Sequence, residues 1–197
     1  APGYTLDRWA LGYVTSTGVF TVTKNSDVPS NTEFTNSLRV AVTTADTSIA
    51  AGEYAAVYQI IEGYNVRDLI GKTFTISFWV RSSKTGIHCV RLSNSGYDRS
   101  YVTEYSINSA NTWEKKSVTI TNGLITAGTW NWTNGIGLGI VWTMACGSTY
   151  QTTANSWNTG NYLGTSSQVN CLDTIGNIFA ITGVQVEIGS VATPFEQ

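Results

Sequence analysis

Aromatic side chains that stand next to amides and charged groups are the residues of this sequence with the clearest chemical potential. One cluster places two tryptophans around an amide, in the order Trp130, Asn131 and Trp132. In an extended segment, both indole rings project to the same side. Sugar rings present apolar C–H faces that stack on aromatic rings, and polar side chains bond their hydroxyls. This cluster is therefore a candidate carbohydrate-binding site.

Two further clusters have a similar composition. One is a predicted turn with a tyrosine, an aspartate and an arginine in succession, and the other is an asparagine-rich segment with a tryptophan and a tyrosine. In each cluster the alternative is structural, because a ring can pack under a loop or at a subunit contact, and a turn aspartate commonly satisfies backbone donors. The candidate carbohydrate-binding residues are Tyr97, Asp98, Arg99, Trp130, Asn131, Trp132, Trp157 and Tyr162.

Catalytic chemistry has less support in the sequence. The single histidine, His88, has no nucleophile elbow to accompany it, so we expect a structural residue. Glycoside hydrolysis needs two carboxylates that face a sugar, and nothing in the spacing distinguishes Glu62 with Asp68, or Asp98 with Glu104, from other carboxylates. The sequence also lacks zinc-ligand spacings and glycine-rich phosphate loops. We expect no catalytic residues, no metal ligands and no cofactor, and hence a protein that is not an enzyme.

The charge of the chain restricts its partners. Only 12% of the 197 residues are charged, and the formal net charge is −2. Because the basic residues are scattered, whereas a phosphate-binding groove needs them clustered, we expect no nucleic-acid partner. No segment approaches the ~20 apolar residues that cross a bilayer, and no charged-then-apolar leader opens the chain, so we expect no membrane insertion. The low charge favours a neutral ligand over an ionic one.

Strands are the elements that are expected to position the aromatic clusters. Segment 71–83 alternates apolar and polar residues, and Val184, Val186 and Ile188 repeat the same period near the C-terminus. Roughly nine or ten such strands, separated by turn signals, are typical of two packed antiparallel sheets. The sequence therefore predicts an all-β fold, a β-sandwich of two antiparallel sheets, with residues 1–197 in one domain.

Two stretches depart from simple alternation. The strand after Trp113 changes phase near Lys115 and Lys116, which predicts a β-bulge. Residues 146–172 form the longest irregular stretch, and loops of this length are usually functional or disordered. Its aromatic residues indicate that this loop is packed.

The three cysteines have two interpretations. An odd number leaves at least one thiol free or shared between chains. A bridge between Cys146 and Cys171 could clamp the loop between them. We favour three buried free thiols in a chain made in a reducing cytoplasm.

Five segments carry a family resemblance, and they occur in a fixed order along the chain. Together they resemble bacteriophage and prophage tail-fibre receptor-binding domains of the carbohydrate-binding-module-like jelly-roll type. The resemblance spans nearly the whole chain, and its most specific pieces are SVATPFE and NYLGTSSQVN. The segments are YTLDRW (Tyr4–Trp9), GKTFTISFWVRSS (Gly71–Ser83), Thr112-Trp113, GNYLGTSSQVN (Gly160–Asn170) and ITGVQVEIGSVATPFEQ (Ile181–Gln197).

The resemblance implies a jelly roll, a location in the virion, a homotrimer, and attachment to bacterial surface polysaccharide, either lipopolysaccharide or capsule. Members of the family generally have a strand before the element at Asp7, so the chain is expected to be the C-terminal part of a longer fibre protein. A structural trimerisation or capping module, a polysaccharide depolymerase and a sugar-binding module of a secreted hydrolase are the alternatives. Related sugar-binding sandwiches often hold a structural calcium, and the sequence decides neither that ion nor the sugar.

Overall fold

The computed structural model describes residues 3–6 and 9–196, and strands dominate it. Within these residues no helix is long and apolar enough to cross a bilayer. Single turns of 3₁₀ helix occur at Gly63–Asn65, Arg67–Leu69 and Ser148–Tyr150. The strands of the described residues are β1 (Gly3–Leu6), β2 (Trp9–Val14), β3 (Val19–Asn25), β4 (Ser37–Thr44), β5 (Tyr54–Glu62), β6 (Phe74–Ser82), β7 (Gly86–Ser93), β8 (Arg99–Ile107), β9 (Glu114–Ile120), β10 (Ile136–Cys146), β11 (Trp157–Thr159) and β12 (Ile178–Ile188).

The strands form two antiparallel sheets. The seven-stranded sheet has the order β1-β2-β5-β10-β7-β8-β11, and the five-stranded sheet has the order β3-β4-β12-β6-β9. From β4 to β8 the chain crosses between the sheets at almost every connection, so each sheet contains strands that are distant in sequence. The predicted β-sandwich of two antiparallel sheets is confirmed. Residues Asp7 and Arg8 of the first family segment lie outside the described part of the chain.

An aromatic cluster between the sheets forms the centre of the core. Phe78 of β6 makes edge-to-face contacts with Tyr105 of β8, at 5.1 Å between ring centroids, and with Trp142 of β10, at 5.5 Å. Aromatic pairs prefer this arrangement, and each stabilises by about 0.5–1.5 kcal/mol beyond the burial of area. All three rings are buried. The apolar face predicted for segment 71–83 is therefore the face that packs against the other sheet.

The C-terminal strand β12 differs from its predicted form. It begins earlier than expected, at Ile178, and it pairs with β6 on one side and with β4 on the other. The β4 pairing extends only over Ile178–Ile181. Beyond that point Val184 and Val186 are half-buried beside an open cleft of about 630 Å³, and Ile188 is 56% exposed. The predicted buried face is thus wrong at Ile188. Within the described residues the β4 pairing ends at Ile181, and β6 alone continues beside β12 to Ile188.

The bulge predicted in β9 is also wrong. The pairing of β9 with β6 runs without interruption from Ile120 opposite Phe74 to Glu114 opposite Val80. Lys116 occupies an inward position of the alternation, and its ammonium group lies 2.5 Å from a carboxylate oxygen of Glu114. The apparent change of phase in the sequence arises because Lys116 takes an inward position and pairs there with Glu114.

All three cysteines are buried free thiols, as expected. Burial raises the pKa of the Cys146 and Cys171 thiols to about 12. His88 is buried between the rings of Tyr105 and Phe179, and its Nε2 lies 3.0 Å from the carbonyl oxygen of Lys84. The prediction of a structural histidine is consistent with this packing.

The single histidine gives the stability of the fold a defined pH dependence. Burial lowers the pKa of His88 below its ordinary value of 6.5, so the unfolded chain takes up this proton at a higher pH than the folded chain does. Stability contributed by neutral His88 is therefore complete above about pH 7 and is lost as the pH falls. We expect the free energy of unfolding to decrease between pH 7 and pH 5, by at most about 1.4 kcal/mol per pH unit.

Urea denaturation followed by tryptophan fluorescence at several pH values measures this dependence. Because His88 is the only histidine of the chain, the variant His88→Gln should remove the slope between pH 5 and pH 7. An unchanged slope in the variant would show that another group titrates in this interval.

Candidate functional site

The outer face of the seven-stranded sheet carries an arginine within a row of mostly apolar side chains. Residues directly opposite each other in antiparallel strands point to the same face of a sheet. The register places Tyr58 of β5, Val141 of β10, Arg91 of β7 and Val102 of β8 in one such row. The neighbouring residues of the same strands, among them Trp142, point into the core. Arg91 therefore points away from the core, on the outer face of the sheet.

Arg91 is a buried cation without an anionic partner in the described part of the chain. The residue is 1% exposed, and its Nε and Nη2 atoms have no hydrogen-bond partner there. The guanidinium carbon lies 5.7 Å from the centroid of the Tyr97 ring, within range of a cation–π interaction. Burial lowers the pKa of Arg91 to about 10, and the hydroxyls of Tyr58, Tyr97 and Tyr54 partly oppose this shift. The guanidinium is therefore surrounded by tyrosines.

Tyr54, Tyr58 and Tyr97 lie around this guanidinium. Together with Tyr150, which packs on Tyr54, they are here called the tyrosine face. Tyr54 and Tyr58 are four residues apart on β5 and project to the same side. The ring of Tyr150 packs on that of Tyr54, with 4.8 Å between centroids. Burial raises the pKa of both Tyr54 and Tyr58. The rings of Tyr54, Tyr97 and Tyr150 are half-buried, so they provide the aromatic surface that reaches solvent.

Glycine is required beside the tyrosine face. A Cβ atom on Gly12 of β2 would lie 2.7 Å from the ring of Tyr58, which is too close for any side chain. The ring of Tyr58 therefore lies across the backbone of the neighbouring strand.

The loop between β10 and β12 covers the other half of this outer face. Thr143 Oγ1 donates a hydrogen bond to the carbonyl oxygen of Leu163, at 2.6 Å. The backbone N–H of Cys89 donates to Gln168 Oε1 at 2.7 Å, and Gln168 Nε2 donates to the carbonyl oxygen of Thr143 at 3.1 Å. The expectation that this long loop is packed is confirmed. The tyrosine face lies beside it, and Tyr150 belongs to the loop itself.

The three candidate tryptophans lie at the edge of the sandwich and are here called the tryptophan edge. Trp157 of β11 is opposite Tyr101 of β8, so its ring points toward the inner face, 5.6 Å from the Tyr101 ring. Trp130 contacts Trp157 at 5.8 Å and stacks on Trp132 at 4.7 Å. The three rings are half-buried and pack against the core. The tryptophan edge therefore closes the core at the β8–β11 side.

Hydrogen bonds fix the tryptophan edge to its own loops. Trp130 Nε1 donates to the carbonyl oxygen of Ala127 at 2.8 Å, and Trp157 Nε1 donates to that of Gly123 at 3.0 Å. Asn131 Oδ1 accepts from the backbone N–H of Thr133 at 2.8 Å. These polar groups are therefore used within the fold.

Asp98 connects two of the candidate loops. Its carboxylate accepts hydrogen bonds from Asn94 Nδ2, from the backbone N–H of Thr129 at 3.1 Å and from Thr129 Oγ1 at 3.0 Å. The hydrogen bond from Asn94 and those from Thr129 lower the pKa of Asp98. Arg99 donates to the carbonyl oxygen of Asp98 at 2.7 Å. These contacts fit the structural alternative to carbohydrate binding, in which Asp98 satisfies backbone donors.

The third candidate loop joins the same end of the sandwich. The backbone N–H of Gly160 donates to the carbonyl oxygen of Asp98 at 3.0 Å, and that of Tyr162 donates to Ser100 Oγ at 3.0 Å. The three sequence clusters therefore converge on one region. Among the candidate residues, Tyr97 is the member that also belongs to the tyrosine face.

Sequence reasoning did not select four residues of this face as site residues: Tyr54, Tyr58, Arg91 and Tyr150. A signal was present in segment 89–92, where an arginine stands inside the apolar run Cys-Val-Arg-Leu. A charge in the middle of a buried strand needs a partner or a function.

The carboxylate pairs considered for hydrolysis have structural contacts or exposed positions. Glu104 accepts a hydrogen bond from Thr165 Oγ1, and Asp98 holds Thr129. Glu62 and Asp68 are both exposed and lie in different elements. Residues 3–6 and 9–196 contain no group of three or more histidine, cysteine or acidic side chains that could hold a metal ion. The arrangement is suited to stacking and hydrogen bonding.

Comparison with known proteins identifies the fold. No family model and no curated protein matches the sequence. The chain is similar in structure to the enzymatically active domain of tailspike protein 4 of bacteriophage CBA120, with a TM-score of 0.52, 18% identity and 92% of this chain covered. It spans 19% of that tailspike chain.

Two structures of family 11 carbohydrate-binding modules from Clostridium thermocellum are also similar. One is a complex with a β-1,3-1,4-mixed-linked tetrasaccharide, with a TM-score of 0.52, 13% identity, and coverage of 96% of this chain and 93% of that one. The other belongs to a cellulosomal cellulase, with a TM-score of 0.52, 14% identity, and coverage of 96% and 92%. These similarities confirm the jelly-roll β-sandwich.

The contacts of Asp98 predict a local change of stability. The variant Asp98→Ala removes the carboxylate that accepts hydrogen bonds from Asn94 and Thr129, so the contact between these two loops should loosen. Amide hydrogen exchange at Thr129 should become at least about tenfold faster, as measured by NMR. Asp68→Ala is the matched control, because Asp68 is exposed and accepts no side-chain hydrogen bond within the described residues. Unchanged protection of Thr129 in Asp98→Ala would contradict this role.

Proposed function

We propose that the chain is a non-catalytic receptor-binding domain of a phage tail fibre that binds bacterial surface polysaccharide, lipopolysaccharide or capsule, at the tyrosine face. The observation that carries this proposal is the group of half-buried tyrosine rings around Arg91 on the outer face of the sheet. Rings of this kind offer flat apolar surface and a hydroxyl, which together suit the faces and the hydroxyls of a sugar.

The tyrosine face is the better candidate for the primary site than the tryptophan edge. Trp130 and Trp132 cover one face of each other, with 11° between their planes. The N–H groups of Trp130 and Trp157 are bonded to backbone carbonyls. The tyrosine face keeps its exposed rings beside an unpaired cation, so it retains more unused binding capacity.

The known structures and the sequence resemblance support different parts of the proposal. A jelly-roll module of similar fold binds a mixed-linked tetrasaccharide, which supports a saccharide ligand. A similar domain occurs in a phage tailspike, and the five family segments point to a tail fibre, which supports the location in the virion. The homotrimer and the longer fibre protein rest on the resemblance.

A second candidate role is subunit contact within the fibre. Three apolar side chains near the C-terminus reach solvent, with Val191 75% exposed, Ile188 56% exposed and Phe195 40% exposed. Exposed apolar side chains that lie close together are typical of interaction surfaces. This role is compatible with saccharide binding on the other sheet.

Substitution of the tyrosine face tests the binding site. Tyr54→Ala and Tyr150→Ala each remove a ring from the exposed aromatic surface and should weaken binding of host lipopolysaccharide or capsule about tenfold, the equivalent of about 1.4 kcal/mol. Isothermal titration calorimetry with host polysaccharide measures the change. Tyr64→Ala is the matched control, because Tyr64 is 59% exposed and lies apart from this face.

Trp132→Ala separates the two candidate surfaces, since it alters only the tryptophan edge. Loss of binding in Trp132→Ala, with normal binding in Tyr54→Ala, would move the site to that edge. A protein that sediments as a trimer and binds no host polysaccharide would favour the structural role alone. Shortening of the polysaccharide by purified protein would contradict the non-catalytic proposal.

A further inference from the structure

We infer that the saccharide bound at the tyrosine face carries a carboxylate, and that Arg91 is the residue that pairs with it. This inference rests on the proposed function, because it names the chemical class of the ligand at the same site. It departs from the expectation of a neutral ligand, which was based on the overall charge.

Arg91 has no anionic partner among the described residues. Among the described residues the ion pairs are Arg81 with Asp27, Lys84 with Asp173, and Lys116 with Glu114. Two carboxylates close to Arg91 in sequence or register, Asp98 and Glu104, are engaged by Thr129 and Thr165. The fold therefore supplies Arg91 with tyrosines and not with a carboxylate.

Burial of the unpaired Arg91 charge is energetically unfavourable. Desolvation of a buried cation without an anionic partner is costly, and a cation–π contact recovers only part of that cost. An apolar side chain of similar length would avoid this cost in the row between Val141 and Val102. The protein thus places a charge where its own contacts do not compensate it. A charge of this kind is suited to a ligand that carries the compensating negative charge.

The unpartnered edge of the Arg91 guanidinium has a geometry that suits a carboxylate. The unpartnered atoms of Arg91 are Nε and Nη2. These two nitrogens carry roughly parallel N–H groups on one edge of the guanidinium, which matches the two oxygens of a carboxylate. A planar carboxylate is favoured for this edge, and a uronic or sialic acid unit provides one on a ring that can stack against tyrosine.

Access of a ligand to the Arg91 guanidinium depends on Tyr97. The ring of Tyr97 lies over the guanidinium, so a carboxylate reaches Arg91 when this ring turns aside. Tyr97 occupies a turn with φ 55, a left-handed conformation that few non-glycine residues adopt. Asp98, the next residue of the same turn, accepts a hydrogen bond from the backbone N–H of Thr129. Rotation of the Tyr97 side chain can therefore open the guanidinium while the turn stays in place.

Chemical reduction of carboxyl groups tests this inference on the unmodified protein. Polygalacturonate, alginate and α2,8-linked polysialate would be compared with the same polymers after conversion of the carboxylates to primary alcohols. Mixed-linked β-glucan serves as a neutral polymer. We expect binding to at least one native acidic polymer, and binding at least tenfold weaker after its reduction, as measured by biolayer interferometry.

The variant Arg91→Met provides a second measurement. Methionine keeps the length and the apolar stem of the side chain but removes the charge, and replacement of a buried charge by an apolar group is often neutral or stabilising. We expect an equal or higher melting temperature and equal affinity for the native and the reduced polymer. Arg39→Met is the matched control, because Arg39 lies on the five-stranded sheet.

The outcomes distinguish the inference from the proposed function. Equal binding of native and reduced polymers, binding of the neutral glucan alone, or a preference that persists in a folded Arg91→Met variant would each overturn the role of Arg91 and leave saccharide binding intact. Absence of binding to every polymer, including host polysaccharide, would overturn both. If Arg91→Met does not fold, the comparison of native and reduced polymers on the unmodified protein decides the question.

Discussion

Burial of the seven-stranded sheet on both faces is the constraint on which the rest of the structure depends. In β10 every residue from Gly137 to Cys146 is buried. One face of this strand packs on the aromatic cluster around Phe78, and the other lies under the loop that contains Leu163 and Gln168. A sheet covered on both sides tolerates few polar groups, and each buried one needs a partner. Three other buried side-chain atoms of this sheet also lack a hydrogen-bond partner within the described residues: Ser93 Oγ, the Tyr105 hydroxyl and Trp142 Nε1. Arg91 stands out among them because it carries a charge.

This constraint also explains why the two aromatic surfaces differ. The tryptophan edge closes the core at the β8–β11 side, and the N–H groups of Trp130 and Trp157 bond backbone carbonyls, so this edge serves the fold. The tyrosine face lies on the covered side of the sheet, beside the loop and above a charge that the fold does not neutralise. Stability accounts for the first arrangement, and we propose ligand binding for the second.

Much of the fold could be predicted from the sequence, because alternation reports burial directly. Segment 71–83 was predicted correctly for this reason, whereas the packing of the loop before β12 was predicted from its aromatic residues. Alternation failed at Lys116, where an ion pair with Glu114 placed a lysine in an inward position. It also failed at Ile188, because the sequence does not show where the neighbouring strand ends. Both errors concern strand margins.

The candidate site was harder to predict, because its residues come from strands and loops that only the fold brings together. Tyr97 was selected from its own turn, whereas Tyr54 and Tyr150 are far apart in sequence and meet through the register of β5 and β10. The low overall charge concealed the importance of one arginine. Composition averages over the whole chain and does not report which single charge is buried without a partner.

A crystal structure with an oligosaccharide released from a polysaccharide that the protein binds would test the central claim most directly. We predict a sugar ring against Tyr54, Tyr97 or Tyr150, with its carboxylate beside Nε and Nη2 of Arg91. Density for the sugar on Trp130 and Trp132, or in the cleft beside Val184 and Val186, with the tyrosine face empty, would contradict the claim.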